Sequence, residues 1–303
     1  MIFLDICCGG GLATTGIHQA GHKTLVAIER EKWIADVFKL NFPETLVRNE
    51  DCAKVDYSQF KNMGIDAVWA SFPCQGFSNA RSKKLEEHKD VNCGYSLIDA
   101  VELLKPLYIF LENVPQWLKS QVWIDLRDYL FSRNYWVSES VLNAADYGVP
   151  QNRKRAIIRC VKSCHVPFLQ FKQTHFGWYA AISDLISSCP VTELANWQKE
   201  LIKEDFDQPV LIPHVGARKS SFRLIKKGEP APTLRALGHD RHWRQFDFFD
   251  GENLRQLIPE CEARLQTMSS TYNFGLLPNW KKKKIIGNGV PSQLVRRILK
   301  EFP

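Results

Sequence analysis

No apolar run in this 303-residue sequence approaches the roughly eighteen residues that a membrane helix needs. A charged leader with a signal-like cleavage site is also missing, because the N-terminus opens directly on the apolar run Met1-Ile2-Phe3-Leu4. The nine cysteines (7, 8, 52, 74, 93, 160, 164, 189 and 261) are odd in number and form no paired CxxC framework. That pattern favours reduced thiols in a cytoplasm over a disulfide scaffold or a structural zinc. Cys160-x3-Cys164-His165 comes nearest to a metal cluster, but no second pair of ligands accompanies it, so no metal is expected. Internal repeats and low-complexity tracts are absent. These absences leave a globular chain, and its length is enough to bury a sizeable core in one domain or one and a half. The formal net charge of +7 leans towards a polyanionic partner.

The stretch Ala70-Ser71-Phe72-Pro73-Cys74-Gln75-Gly76-Phe77-Ser78 organises the rest. Ile65-Asp66-Ala67-Val68-Trp69 before it reads as a buried strand, stopped by small residues, a proline and a glycine. Cys74 therefore sits just past the carboxyl end of a strand, where open α/β sheets place their chemistry. A cysteine by itself is most often a core residue. Here Pro73 stiffens the approach, Gln75 sets an amide beside the thiol, and a second strand ends in Glu112-Asn113-Val114.

From its start the chain reads as strand (Ile2 to Ile6), glycine turn (Cys7-Cys8-Gly9-Gly10-Gly11) and helix (Leu12 to Ala20), closed by Gly21. Glycines admit a ligand close to the backbone, and a helix N-terminus offers free N–H groups. A second strand, Lys23 to Ile28, ends in Glu29, well placed for ribose hydroxyls. Both features fit an adenosine-containing cofactor, either a nicotinamide dinucleotide or S-adenosylmethionine. A helix is expected from Glu31 to about Leu40, and Asp51-Cys52 ends the next short strand as a candidate adenine contact. The polar, basic stretch 79–90 reads as an active-site loop. After the helix Tyr95 to Lys105, the apolar strand Tyr108 to Leu111 delivers Glu112. A carboxylate there is either paired or kept neutral. Beyond a helix around Ile124 to Asn134, strands are expected at Trp136–Leu142 and Ala156–Cys160. The alternation Arg153-x-Arg155 predicts two arginines on one face, aimed at one anionic or carbonyl-bearing group.

These residues together resemble the DNA cytosine-5 methyltransferases over nearly the whole chain. Asp5 to Gly11 with Gly16 and Gly21, Glu29, Asp51, Phe72-Pro73-Cys74-Gln75, Glu112-Asn113-Val114 and Gln151-x-Arg153-x-Arg155 stand in the family's order. Arg264-Leu265-Gln266 and Gly287-Asn288-Gly289-Val290-Pro291 follow. The sequence departs from the family pattern at Cys7 (usually Phe), at Leu12 (usually Gly) and at Cys93-Gly94 (usually Arg-Gly). The Arg-Glu-Cys order is altered around Pro259 to Arg264.

The resemblance implies an α/β fold, a Rossmann-like S-adenosylmethionine-dependent methyltransferase sheet with a smaller, irregular target-recognition domain. Its implied bounds are 1–182 for catalysis and cofactor, 183–284 for target recognition, and 285–303 for a C-terminal helix returning to the catalytic domain. It implies Cys74, Glu112, Arg153 and Arg155 as catalytic residues. Asp5, Cys7, Gly9, Gly11, Glu29, Asp51, Cys52, Pro73, Asn288 and Val290 are the implied cofactor contacts. Gln75, Ser78, Asn113, Val114, Arg235, His239 and Arg241 are the implied substrate contacts. Basic residues interleaved with His239, His242 and Trp243 suit phosphates and base edges. The four lysines at 281–284 fit phosphate contacts or a solvated turn equally well. The expected partner of this cytoplasmic, nucleoid-associated monomer is double-stranded DNA, with a restriction endonuclease as a genetic companion. An RNA cytosine-5 methyltransferase and a catalytically silent DNA-binding homologue are the alternatives. A nicotinamide oxidoreductase leaves Pro-Cys-Gln, Glu-Asn-Val and the two arginines unexplained.

Overall fold

The computed structural model describes residues 1–73, 91–162, 164, 166, 173–202, 208–213, 223–236, 245–300 and 302. The chain divides into two compact units. The first is Met1–Asn143, Lys154–Phe171 and Leu294–Pro303; the second is Ala144–Arg153 and Lys172–Gln293.

The first unit is built on a mixed sheet whose central strands β1, β4 and β5 are parallel and buried, so those strands are near-continuously apolar. Chain order gives β1 (Ile2–Ile6), α1 (Leu12–Gln19), β2 (Lys23–Ile28), α2 (Lys32–Asn41), β3 (Leu46–Arg48), β4 (Ala67–Ala70), α3 (Ser96–Leu104), β5 (Tyr108–Asn113), α4 (Gln121–Ser132), β6 (Tyr135–Asn143) and β7 (Lys154–Lys162). The described strands form a sheet ordered β3-β2-β1-β4-β5-β7-β6. β7 runs antiparallel to both of its neighbours, and the pairings among β1 to β5 are parallel. Period-two alternation assigns the faces. Leu4, Ile6, Val26, Ile28, Val68, Ala70, Ile109 and Leu111 join α3 and α4 through Leu97, Val101, Trp123 and Leu126. On the opposite face Phe110 stacks on Trp69 at 6.0 Å and meets Phe3 at 5.8 Å. Helix ends follow local chemistry. Ser120 Oγ caps α4 by accepting from Trp123 N at 3.1 Å, and α3 stops at Lys105 in the left-handed region, just before Pro106.

In the second unit the strand-helix alternation is lost, as expected, and a small antiparallel sheet takes its place. The elements are α5 (Trp178–Ile182), β8 (Val191–Thr192), α6 (Asn196–Leu201), β9 (Val210–Pro213), β10 (Ile225–Lys226), β11 (Phe246–Phe249), β12 (Leu254–Gln256), α7 (Pro259–Leu265) and α8 (Asn279–Asn288). The described strands are ordered β10-β9-β11-β12-β8 around Val210, Ile212, Phe249 and Leu254. Trp178 is fully buried and its indole N–H donates to the carbonyls of Ile225 and Lys226 at 3.2 and 3.0 Å. The lysines at 281–284 lie inside α8 and not in a turn. Lys283 is buried there: its Nζ meets Glu262 Oε1 at 2.6 Å and donates to Leu257 O at 3.1 Å, so it is unavailable to a phosphate. The chain closes on α9 (Ser292–Lys300), whose residues from Leu294 on belong to the first unit again. Among the described residues no helix is long and apolar enough to cross a membrane.

Candidate active site

In an open α/β sheet, ligands bind outside the carboxyl ends of the strands where strand order reverses. Here β1 lies between β2 and β4, which puts that point between β1 and β4. Past β1, Cys7, Gly9 and Gly11 all have positive φ, at 58°, 55° and 84°. Gly11 admits no substitute, because a Cβ would fall 2.3 Å from a ring carbon of Phe42. At Gly9 the same atom would meet nothing within 4 Å, so the turn borders open space on that side.

Glu29 ties this turn to the end of β2. Its Oε2 accepts from Gly9 N at 3.1 Å and its Oε1 from Glu31 N at 2.8 Å. Burial raises its pKa, partly opposed by those two N–H groups. Each carboxylate oxygen has two acceptor sectors, so both retain one for a ribose hydroxyl. Asp5 works from behind the turn. It is fully buried, and its Oδ2 accepts from the Thr14 hydroxyl at 2.7 Å. Burial lifts its pKa from 3.8 to about 7, with the Thr14 hydrogen bond acting downward and Glu29 upward. Asp51 lies three residues past β3, where its Oδ1 accepts from Ala53 N at 3.1 Å. Cys52, beside it, is buried, with Cys7 Sγ 3.6 Å from its own sulfur.

The two sequence-predicted catalytic groups on the β5–β7 side come together. Glu112 ends an apolar strand, and Arg155 Nε lies 2.7 Å from its Oε1, with both side chains largely buried. The carboxylate is therefore paired, which was one of the two expected outcomes. Arg155 Nη1 donates to Lys154 O at 2.8 Å and fixes the rest of the fork. Asn113 reaches across to the neighbouring loop. Its Nδ2 donates to Phe72 O at 3.2 Å, while its Oδ1 accepts from Val114 N at 2.9 Å. Asn113 thereby positions the segment leading through Pro73 towards Cys74, and its backbone partner Val114 is held with it. Cys74, Gln75, Ser78, His239 and Arg241 lie outside the described residues.

Arg153 departs from its expectation. The alternation of Arg153 with Arg155 presumes that both lie on one strand, but β7 begins at Lys154. Arg153 is fully buried within the second unit. Its Nη1 donates to Leu234 O at 2.7 Å, and its Nη2 donates to Gly287 O at 2.8 Å and Gly289 O at 2.9 Å. A planar fork of donors suits three converging carbonyls. It locks the Gly287-Asn288-Gly289-Val290 motif to the segment entering Arg235, with Asn288 exposed and Val290 buried. Gly287 allows this approach, since a Cβ there would stand 2.4 Å from Ala236 N. Arg235 itself is exposed, with its N–H on Gln245 Oε1 at 3.0 Å.

Two glutamines in the same lock were missed as functional residues by sequence reasoning. Gln151 accepts from Leu234 N at 3.1 Å and donates to Leu265 O at 3.2 Å. Gln266 donates to Ile286 O at 2.8 Å. Their signal was membership of the quoted motifs, which carried no indication of partners.

Comparison with known proteins agrees with this geometry. Residues 1–303 match the family described as C-5 cytosine-specific DNA methylase. The type II methyltransferase M1.HgaI of Avibacterium volantium is 28% identical, over 99% of this chain and 97% of its own length. M.HhaI of Haemophilus parahaemolyticus is 25% identical over 89% of this chain and 84% of its own length. Among solved structures, the Dnmt2 methyltransferase of S. pombe superposes with a TM-score of 0.72 at 14% identity, covering 99% of this chain and 97% of that one. With the family pattern spanning the full sequence, the chain belongs to the C-5 cytosine-specific DNA methylases.

Proposed function

We propose that this protein methylates carbon 5 of a flipped-out cytosine within a specific sequence of double-stranded DNA. The observation that carries the reading is the Glu112–Arg155 pair at the carboxyl edge of the sheet, on the strand beside the one that leads to Cys74. Cytosine carbon 5 is a poor nucleophile, so a thiolate adds first at carbon 6, and Cys74 is that nucleophile. Glu112 holds ring nitrogen 3 and the exocyclic amine, leaving carbon 5 enamine-like. Arg155 both orients Glu112 and faces the base carbonyl, steadying charge as it develops. S-adenosylmethionine would supply the electrophilic methyl group to carbon 5, its sulfur–methyl bond breaking to leave S-adenosylhomocysteine. Loss of the carbon 5 proton then restores the ring double bond and expels Cys74 as thiolate. Since a duplex hides carbon 6, the base leaves the stack at a cost of a few kcal/mol.

The cofactor fits the residues present. Glu29 retains acceptor sectors beside a glycine turn that borders open space, and Asp51 would meet an adenine edge. Asp5 supports the turn through Thr14. Cys7, Cys52 and Pro73 are further cofactor contacts, and the family resemblance adds Asn288 and Val290. Residues 183–284 serve target recognition, with Arg235, His239 and Arg241 meeting DNA and Gln75 and Ser78 meeting the base. The region 1–182 and the helix after 285 serve catalysis. The protein acts as a monomer in the cytoplasm.

Bisulfite sequencing of DNA from cells expressing the protein tests this. Protected cytosines in one fixed sequence context are expected, and Glu112→Gln abolishes them. Unprotected DNA, with methyl transfer from S-adenosylmethionine confined to RNA, contradicts the DNA reading.

A further inference from the structure

Both quoted departures Cys7 and Cys93 place a thiol near Cys52. Cys7 Sγ lies 3.6 Å from Cys52 Sγ. The donor atoms of Asp51, Cys52 and Cys93 all lie within 4.8 Å of one another. The two cysteines of that trio are buried, and Asp51 enters from the half-exposed side with Arg30 Nη1 3.8 Å from its Oδ2. The backbone holds this arrangement: Tyr57 OH donates to Cys52 O at 3.1 Å, and Ser96 Oγ to Cys93 O at 2.7 Å. Packing accounts for each buried thiol taken singly. Asp51 has partners of its own in Ala53 N and Arg30, and it still keeps a donor oxygen within 4.8 Å of both sulfurs.

From this geometry we propose that Asp51, Cys52 and Cys93, with Cys7 as the fourth donor, bind one thiophilic divalent cation of the zinc–cadmium class. Tetrahedral zinc with sulfur at about 2.3 Å and a carboxylate oxygen at about 2.0 Å requires donor separations of about 3.8 Å for S–S and about 3.5 Å for S–O. The Cys7–Cys52 edge already has the first value to within a few tenths, and the donors of the trio lie within 4.8 Å of one another. Soft thiolates select these cations over magnesium or calcium. Each ligating thiol gives up its proton to solvent on binding, with no change of oxidation state. The cation takes the place of the Arg30 guanidinium beside Asp51. Because Asp51 is also the proposed adenine contact, the cation and the cofactor exclude one another; this last clause rests on the cofactor reading above.

The test titrates cadmium into reduced, chelator-treated full-length protein and follows the ultraviolet sulfur-to-cadmium charge-transfer band. One equivalent is expected. Cys52→Ser and Cys93→Ser are expected to weaken it by more than about 100-fold, beyond the 10–100-fold that loss of an outer-shell partner costs. Cys164→Ser, Cys74→Ser and Cys261→Ser leave it unchanged. If either central variant fails to fold, Asp51→Asn, which keeps its turn-capping oxygen, is expected to weaken cadmium at least tenfold. Equal affinity in Cys52→Ser and Cys93→Ser, or in Asp51→Asn, overturns the site. So does loss of the band in Cys164→Ser, Cys74→Ser or Cys261→Ser. Saturating S-adenosylhomocysteine is expected to weaken cadmium at least tenfold. If that compound binds and cadmium affinity does not change, the exclusion clause is overturned. If it does not bind at all, the cofactor reading fails while the cation site stands on the first titration.

Discussion

Two arginines two residues apart serve the two units in opposite ways. In the first unit, Arg155 stands on a strand beside an acid, forming a charged pair at the sheet edge where chemistry is expected. In the second, Arg153 has carbonyls for partners and is wholly enclosed, so it acts as internal scaffolding. What separates them is the point at which β7 begins. Before Lys154 the backbone belongs to the second unit and the guanidinium turns into its core; after it, the pleat aims the side chain at Glu112. The same residue type pairs with an acid at the sheet edge or rivets a core according to what the backbone places around it.

The comparison breaks most severely at Arg153. Arg153→Ala leaves the carbonyls of Leu234 and Gly287 without this donor, while Gly289 O keeps Gln266 Nε2 at 3.5 Å; two unsatisfied groups at about 1–3 kcal/mol each cost about 2–6 kcal/mol, with a cavity in addition. Arg153→Lys recovers little, because one ammonium cannot span three carbonyls. Urea denaturation reads the loss, and a midpoint within error of wild type would mean that the rivet is decorative.

Asp5 sharpens the account of the turn through pH. Its pKa is raised on folding, from 3.8 to about 7, so the folded state favours the protonated form. The stability tied to that form is complete below about pH 4, declines as pH rises from about 4 to 7, and is flat above. At roughly 1.36 kcal/mol per pKa unit the span is at most about 4 kcal/mol. Asp5→Asn removes the titration. The stability of the variant relative to wild type is expected to grow from pH 4 to 7 in denaturation at stepped pH, and a constant difference would contradict it.

Arg155→Ala is expected to lower turnover by about 10²- to 10³-fold, or about 2.7–4 kcal/mol, the scale of a lost charge-stabilising donor. S-adenosylhomocysteine affinity should stay within about twofold. The reverse pattern would move Arg155 to the cofactor site. Glu29→Ala is expected to weaken cofactor binding by about 1.5–3 kcal/mol per lost hydrogen bond to charge, measured by calorimetry. Tight binding of a nicotinamide dinucleotide in its place would refute the choice of cofactor.

The first unit was legible because its signals are periodic. Buried strands of four to six residues ending in Ile6, Ile28, Ala70 and Asn113 declare both the sheet and the edge that carries Glu29 and Glu112. That Glu112 is either paired or kept neutral was legible from its place after an apolar strand, but its partner Arg155, 43 residues on, was not. Arg153 was misread because alternation was extended one residue beyond the strand. The small sheet stayed hidden because β8 and β10 are two residues each, too short for any alternation. The Cys52–Cys93 proximity was invisible for another reason. Those residues are 41 apart in sequence, and neither lies in a spacing that ligand motifs use.

The most direct test of the central claim concerns Cys74. A duplex carrying 5-fluorocytosine lacks the carbon 5 proton needed to release the enzyme, so the adduct formed after methyl transfer should persist. Wild-type protein with S-adenosylmethionine and that duplex is expected to give a complex that survives denaturing electrophoresis. Cys93→Ser and Cys164→Ser are expected to trap as wild type does, and Cys74→Ser not at all, because a serine hydroxyl is scarcely ionised near neutral pH. A trapped complex in Cys74→Ser, or its equal disappearance in all three variants, would contradict the assignment of Cys74 as nucleophile.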